Sequence, residues 1–193
     1  MNILVDELPE VIEIVGVEYK LNTDFRFSLY TMLAFEDDNL TLQEKCVVML
    51  QNLFVELPEE VTAEFIDKAQ WFLNCGEISD EEPGRRLYSF SRDASLIFAA
   101  FKQTHGIDLQ SDNLHWWKFL TLFMDLGQDT TFCNLVGLRK RYYSGKCTKE
   151  ERESIREMGD MFKVPDNEYL TLADREKIAQ IKESYKKAKN ARL

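Results

Sequence analysis

The sequence predicts a mainly α-helical protein: one multi-helix domain of about seven or eight helices, with a small N-terminal β-hairpin or short antiparallel sheet. Three observations predict it. Apolar residues recur at helical spacing from Thr23 almost to the end of the 193-residue chain. Two Thr-x-x-Glu capping boxes, Thr41 with Glu44 and Thr148 with Glu151, mark helix starts. Strand-like alternation of β-branched and aromatic residues is confined to residues 11–15 (VIEIV) and 17–21 (VEYKL), either side of Gly16.

A lone hairpin is marginally stable, so this one should lie against helices, and Ile3–Val5 is a candidate third strand. From Thr23 the period changes. Phe25, Leu29, Met32 and Leu33 share one face of a first helix capped by Thr23 or Asp24. The second helix opens at Thr41 and runs to about Phe54, carrying Cys46, Val47, Met49, Leu50, Leu53 and Phe54. A third, from Pro58 or Glu59 to Leu73, buries Val61, Phe65, Ala69 and Phe72. Residues 74–84 hold two glycines, a proline and four acids and read as an acidic loop. A fourth helix covers Ser89–Thr104, with Leu96, Ile97, Ala100 and Phe101 inward, and Gly106 stops it. The fifth spans Asn113–Leu126 and the sixth Asp129–Tyr143, broken by Gly127, with Asp129 or Thr130 as the second cap. The Thr148 box begins a helix to about Phe162, and Pro165 and Asp166 mark a turn. A last helix, from about Thr171, has a thin stripe of Leu172, Ile178, Ala179 and Tyr185. The expected organisation is therefore a core of residues 1–165 and a charged C-terminal helix of 166–193.

At 45% hydrophobic and 30% charged, the composition is neither that of a disordered chain nor that of a membrane protein. Asp6 and Glu7 follow the apolar triplet Ile3–Val5, unlike a signal peptide, and no stretch approaches about 18 uncharged apolar residues. A cytosolic protein is expected. The net charge of -10 is unevenly spread: residues 1–138 carry 24 acidic and 9 basic side chains, residues 139–193 carry 10 and 15. The acidic body argues against binding a phosphate backbone, so nucleic acid is an unlikely partner. The basic end suits a solvated helical face or an acidic protein surface.

Recognisable catalytic patterns are missing. Cys46, Cys75, Cys133 and Cys147 are far apart and read as reduced structural thiols. His105 precedes a stop glycine and His115 opens the fifth helix, with neither HExxH spacing nor a nearby cysteine. Asp108 and Asp129 read as connection and helix-start residues, and Asp125 as solvated. Calcium-loop spacing, a phosphate loop and a nucleophile elbow are all lacking, and Arg85-Arg86 is too small for a nucleic-acid patch. The expectation is no catalytic residue, no metal and no cofactor.

The densest apolar run is Leu114–Arg139, LHWWKFLTLFMDLGQDTTFCNLVGLR. Trp116, Leu120, Phe123 and Gly127 follow helical spacing, with Trp117, Phe119 and Met124 widening the stripe. Phe132, Leu135, Val136 and Leu138 face inward on the next helix, where Gly137 permits close approach. The bland reading is two central core helices; the sharper one makes part of the surface an interface hot spot. His115, Trp116, Trp117, Phe119, Phe123, Phe132 and Arg139 are the candidate core or partner-binding residues. Adjacent tryptophans on a helix point about 100° apart, so Trp117 is expected to be the more exposed and to touch a partner.

The run FSRDASLIFAAFKQTHGIDL, then LHWWKFLTLFMDL and TTFCNLVGLR, resembles the phage "gene product fifteen" family, small proteins of tailed phages and prophages. Asp93, the Ile107–Leu109 link, the paired tryptophans, Thr130, Phe132 and Arg139 carry the resemblance, which is most specific in the middle third. It implies a non-catalytic role in tail morphogenesis, as a tail assembly chaperone binding the tape-measure protein, the major tail protein or both, in the host cytoplasm. The gene position typical of the family is the source of that role. The alternatives are a structural adaptor that stays in the virion, or a regulatory binding protein. Opposite charges on body and end are compatible with self-association.

Overall fold

The computed structural model describes residues 2–77 and 85–164, together with Gln180. They form β1 (Val11–Ile14), β2 (Val17–Lys20), α1 (Phe25–Glu36), α2 (Leu42–Leu53), α3 (Ala63–Leu73), α4 (Ala94–His105), α5 (Trp116–Met124), α6 (Thr131–Tyr143) and α7 (Lys149–Met158), with a short 3-10 helix at Gly159–Phe162. The fold is mainly α with a two-stranded antiparallel N-terminal sheet, as predicted. Two compact units emerge, one from residues 2–77 and Leu114–Lys118, the other from residues 85–113 and 119–164. Helix α5 thus gives its first three residues to one unit and the rest to the other. None of the described helices is long and apolar enough to cross a membrane. The turn at Pro165, the charged last helix and most of the acidic loop lie outside the described residues.

In the first unit, the hairpin turns through Val15 (φ 52°) and Gly16 (φ 76°), the positive angles a two-residue turn needs. Ile12 pairs with Tyr19 and Ile14 with Val17, and both isoleucines are buried. The sheet edge is extended by a bridge between Leu21 and Phe54 and by the Val55 N–H donating to the Lys20 carbonyl at 3.0 Å. Tyr19, Phe54 and Phe65 then meet edge to face, fastening β2, the end of α2 and α3 together. Ile3–Val5 is not a third strand: its backbone turns back on Asn2, whose carbonyl accepts from Val5 and Asp6, and all three residues are exposed.

The helix starts of this unit have local causes. Asp24 caps α1 by accepting from the Arg26 N–H at 2.9 Å, and Thr41 and Glu44 form the reciprocal box on α2. Helix α3 begins at Ala63 rather than at Pro58 or Glu59, because Thr62 is still extended (φ -97°, ψ 168°). Val47 belongs to the exposed side of α2, not to its buried stripe of Cys46, Met49, Leu50 and Leu53.

In the second unit, α4 starts five residues later than its periodicity suggests. Ser89–Asp93 folds into a turn, closed by the Ser89 N–H on the Asp93 carboxylate and the Asp93 N–H on the Ser89 carbonyl, each at 2.9 Å. Gly106 ends α4 at φ 70°. Thr130 caps α6, accepting from Cys133 N–H and donating to the Gly127 carbonyl. Phe119 stacks on Phe101 and Phe123, and Tyr88, Phe90 and Phe132 close round Phe123. Leu135, Leu138, Ile155 and Phe162 make a second apolar cluster. Two expectations fail here. Met124 points to solvent, and Gly137 makes no tight contact, since a Cβ there would meet only the flexible end of Arg141 at 3.5 Å.

Candidate functional site

The adjacent tryptophans are both buried, Trp116 at 1% and Trp117 at 3% exposure, which overturns the outward role expected for Trp117. The cause is the C-terminus of α3. A helix leaves its last carbonyls without intrahelical donors. Here the Trp116 indole N–H donates to the Leu73 carbonyl at 3.0 Å, and the Trp117 indole N–H donates to the Phe72 carbonyl at 2.8 Å. Two consecutive indoles therefore cap two consecutive carbonyls. Trp71 and Phe72 pack against the Trp117 ring, and Gly76 (φ 83°) lets the chain turn beneath it, a Cβ there lying 3.1 Å from Trp117.

His115 fixes where α5 begins. Its Nδ1 accepts the Trp117 N–H at 3.1 Å, so Nε2 carries the proton and donates to the Pro9 carbonyl at 3.1 Å. The Trp116 N–H goes to the Thr23 carbonyl, the Phe25 N–H goes to the Leu114 carbonyl, and Asp24 and His115 form a bridge. The starts of α1 and α5 thus hold each other. Burial pushes the His115 pKa below its ordinary value, with Lys118 acting the same way against the Pro9 bond and Glu10. The imidazole works as a neutral cap.

Arg139 is fully buried and forms a 2.6 Å ion pair with Asp93, itself 2% exposed. All five guanidinium donors are taken. Nη1 donates to Asp93 and the Leu87 carbonyl, Nη2 to Asp93 and the Met161 carbonyl, and Nε to the Phe162 carbonyl. One side chain on α6 thereby ties the segment before α4 to the 3-10 helix. Asp93 and Arg139 lie 46 residues apart, and both had carried the family resemblance. The resemblance singled out a buried fork, not a reactive cleft.

Phe119, Phe123 and Phe132 are core residues of the second unit, so the seven candidates divide. His115, Trp116 and Trp117 form one cluster in the first unit, and Phe119, Phe123, Phe132 and Arg139 belong to the second. Remaining polar groups serve local structure. His105 Nε2 bonds the Leu122 carbonyl, Asp129 accepts from Gln103, and Asp108 accepts from the Gln110 N–H. Cys75 is pushed up to about 12 by burial, with Glu77 adding to the shift, so its thiol stays protonated. Among the described residues, no three His, Cys, Asp or Glu side chains gather as metal ligands would. A cleft of about 450 Å³ beside β2 is lined by Glu18, Tyr19, Lys20, Val55, Glu56, Leu57 and Pro58.

Surfaces that could meet a partner lie elsewhere. On α1, Phe27 and Tyr30 are 37% and 59% exposed. The helical period that places Phe25, Leu29 and Met32 on one side leaves these two rings on another, a signal present in the sequence. In the second unit, Tyr142 and Met161 are exposed beside Phe162, and the Arg85 guanidinium lies 3.7 Å over the Tyr143 ring.

Against known proteins, a family model described as Bacteriophage Gp15 protein matches residues 4–164. No curated protein and no solved structure matches.

Proposed function

The chain belongs to the bacteriophage Gp15 protein family, and we propose that it serves tail morphogenesis without catalysing a reaction, as a tail assembly chaperone that binds the tape-measure protein, the major tail protein or both in the host cytoplasm. The observation that carries this reading is the family match across residues 4–164; the tail role is what resemblance to that family implies. The chemistry of the side chains supports a binding role. The most conspicuous polar groups, Arg139, Asp93 and His115, are committed to holding backbone in place. The exposed aromatic rings of α1 supply apolar surface of the kind that partner recognition uses.

A chaperone acts during assembly and leaves. Quantitative mass spectrometry of infected or induced cells and of purified particles tests this: the protein should be abundant in the lysate and absent from the particles. Stoichiometric recovery in particles would replace the chaperone reading with that of a virion adaptor.

A further inference from the structure

We propose that this protein self-associates head to tail, the outward face of α1 in one copy docking on the Tyr142–Met161 patch of a second copy. Helix α1 has an inverted pattern. Its hydroxyl residues Ser28 and Thr31 are fully buried while Phe27 and Tyr30, three residues apart on one face, meet solvent. A surface helix of a monomer places polar residues outward, and a helix apolar on all sides is normally covered. Glu36, Asp37 and Asp38 close the helix. The described residues of this unit carry 16 acidic and 5 basic side chains, a net charge of -11.

The second unit carries a surface of complementary character. Tyr142 is 45% and Met161 60% exposed, and the Tyr142 ring lies 5.2 Å from that of Phe162, the residue that follows Met161. Arg85 stacks on the neighbouring Tyr143. Tyrosine, methionine and arginine are the residue types enriched at protein interfaces. Residues 130–149 contain no acidic side chain and, besides the buried Arg139, four exposed bases, Lys140, Arg141, Lys146 and Lys149, while the described residues of this unit carry 12 basic against 10 acidic, a net charge of +2. The strongly acidic first unit repels its own kind, and the exposed bases on either side of Tyr142 attract it. That selects a heterologous contact over a two-fold one, and the second copy supplies both the apolar match and the charge match. The inference does not depend on which tail protein is bound.

The test is sedimentation velocity on the full chain and on Tyr30→Asp and Met161→Asp, each checked for folding by circular dichroism. The wild type should rise above its 22.7 kDa monomer mass with concentration. It should fall back as salt goes from about 0.1 M to about 1 M, where screening shortens from ~10 Å to ~3 Å. Each variant alone should stay at 22.7 kDa. Their equimolar mixture should give a dimer and nothing larger, because each retains one working face. Wild type that is monomeric throughout at low salt overturns the proposal. So does association unaffected by either variant, which would place the contact elsewhere, residues 165–193 included, or a mixture of folded variants that yields no dimer. If an aspartate variant does not fold, Tyr30→Ser and Met161→Ser replace the pair, and the salt dependence of the wild type needs no variant.

Discussion

Replacing Arg139 with lysine keeps the positive charge and removes the fork. Lysine offers three donors from one point, so it can hold one Asp93 oxygen but not both, and it cannot reach the Leu87, Met161 and Phe162 carbonyls together. At about 1 kcal/mol net per lost hydrogen bond, with two or three lost beyond those water can replace, R139K should destabilise the protein by about 2–3 kcal/mol. For a urea slope of about 2 kcal/mol/M, that moves the unfolding midpoint down by about 1–1.5 M, readable by far-ultraviolet circular dichroism. A double-mutant cycle with D93N isolates the pair and should give a coupling of at least about 1.5 kcal/mol. Removing the charge altogether, as in R139M, should be worse, about 3–5 kcal/mol, because Asp93 is left buried without its partner. An R139K protein within about 0.5 kcal/mol of wild type, or a cycle without coupling, would mean that the fork does not hold these segments together.

Three further outcomes follow from the first unit. W116F should cost about 2–3 kcal/mol in urea unfolding because it strips the indole donor from the Leu73 carbonyl, whereas W117F should cost only about 1 kcal/mol because Phe72 keeps the Cys75 N–H; equal costs would show that the caps are not what the indoles contribute. G76A, at φ 83° and 3.1 Å from the Trp117 ring, should cost about 1–3 kcal/mol and alter tryptophan emission, and an unchanged melting curve would count against the close packing. The His115 pKa is depressed by folding, so its contribution is present above its unfolded value near 6.5 and is lost as pH falls through the folded value. Between about pH 7.5 and 5.5 the wild type should therefore lose stability that H115Q does not lose, and parallel pH curves would remove the neutral-cap assignment.

What could be read from sequence was what is decided within a few residues. The boxes at Thr41 and Thr148 form as expected, and the turn at Gly16 falls where alternation breaks. What could not be read depends on groups distant along the chain. Periodicity ran α4 back to Ser89 because it cannot see that the Asp93 carboxylate is held by Arg139, which sets the turn before the helix. The angular separation of Trp116 and Trp117 suggested one in and one out. Both are drawn inward by carbonyls more than 40 residues earlier, at the end of α3. Likewise Val47 and Met124 fit an apolar spacing yet face solvent, since spacing defines a stripe without fixing its width. The candidate set was legible as an aromatic core and illegible as a surface: Phe27 and Tyr30, the rings left outside, were passed over as ordinary helix content.

If this Gp15-family protein recognises a tail component during assembly, the two should form a complex without other phage proteins. Co-expression with the tape-measure protein of the same genome, followed by affinity capture and size-exclusion chromatography, tests it most directly. The expected result is a co-eluting complex that keeps the tape-measure protein in solution. A well-folded protein that elutes alone, from both the tape-measure protein and the major tail protein, would contradict it.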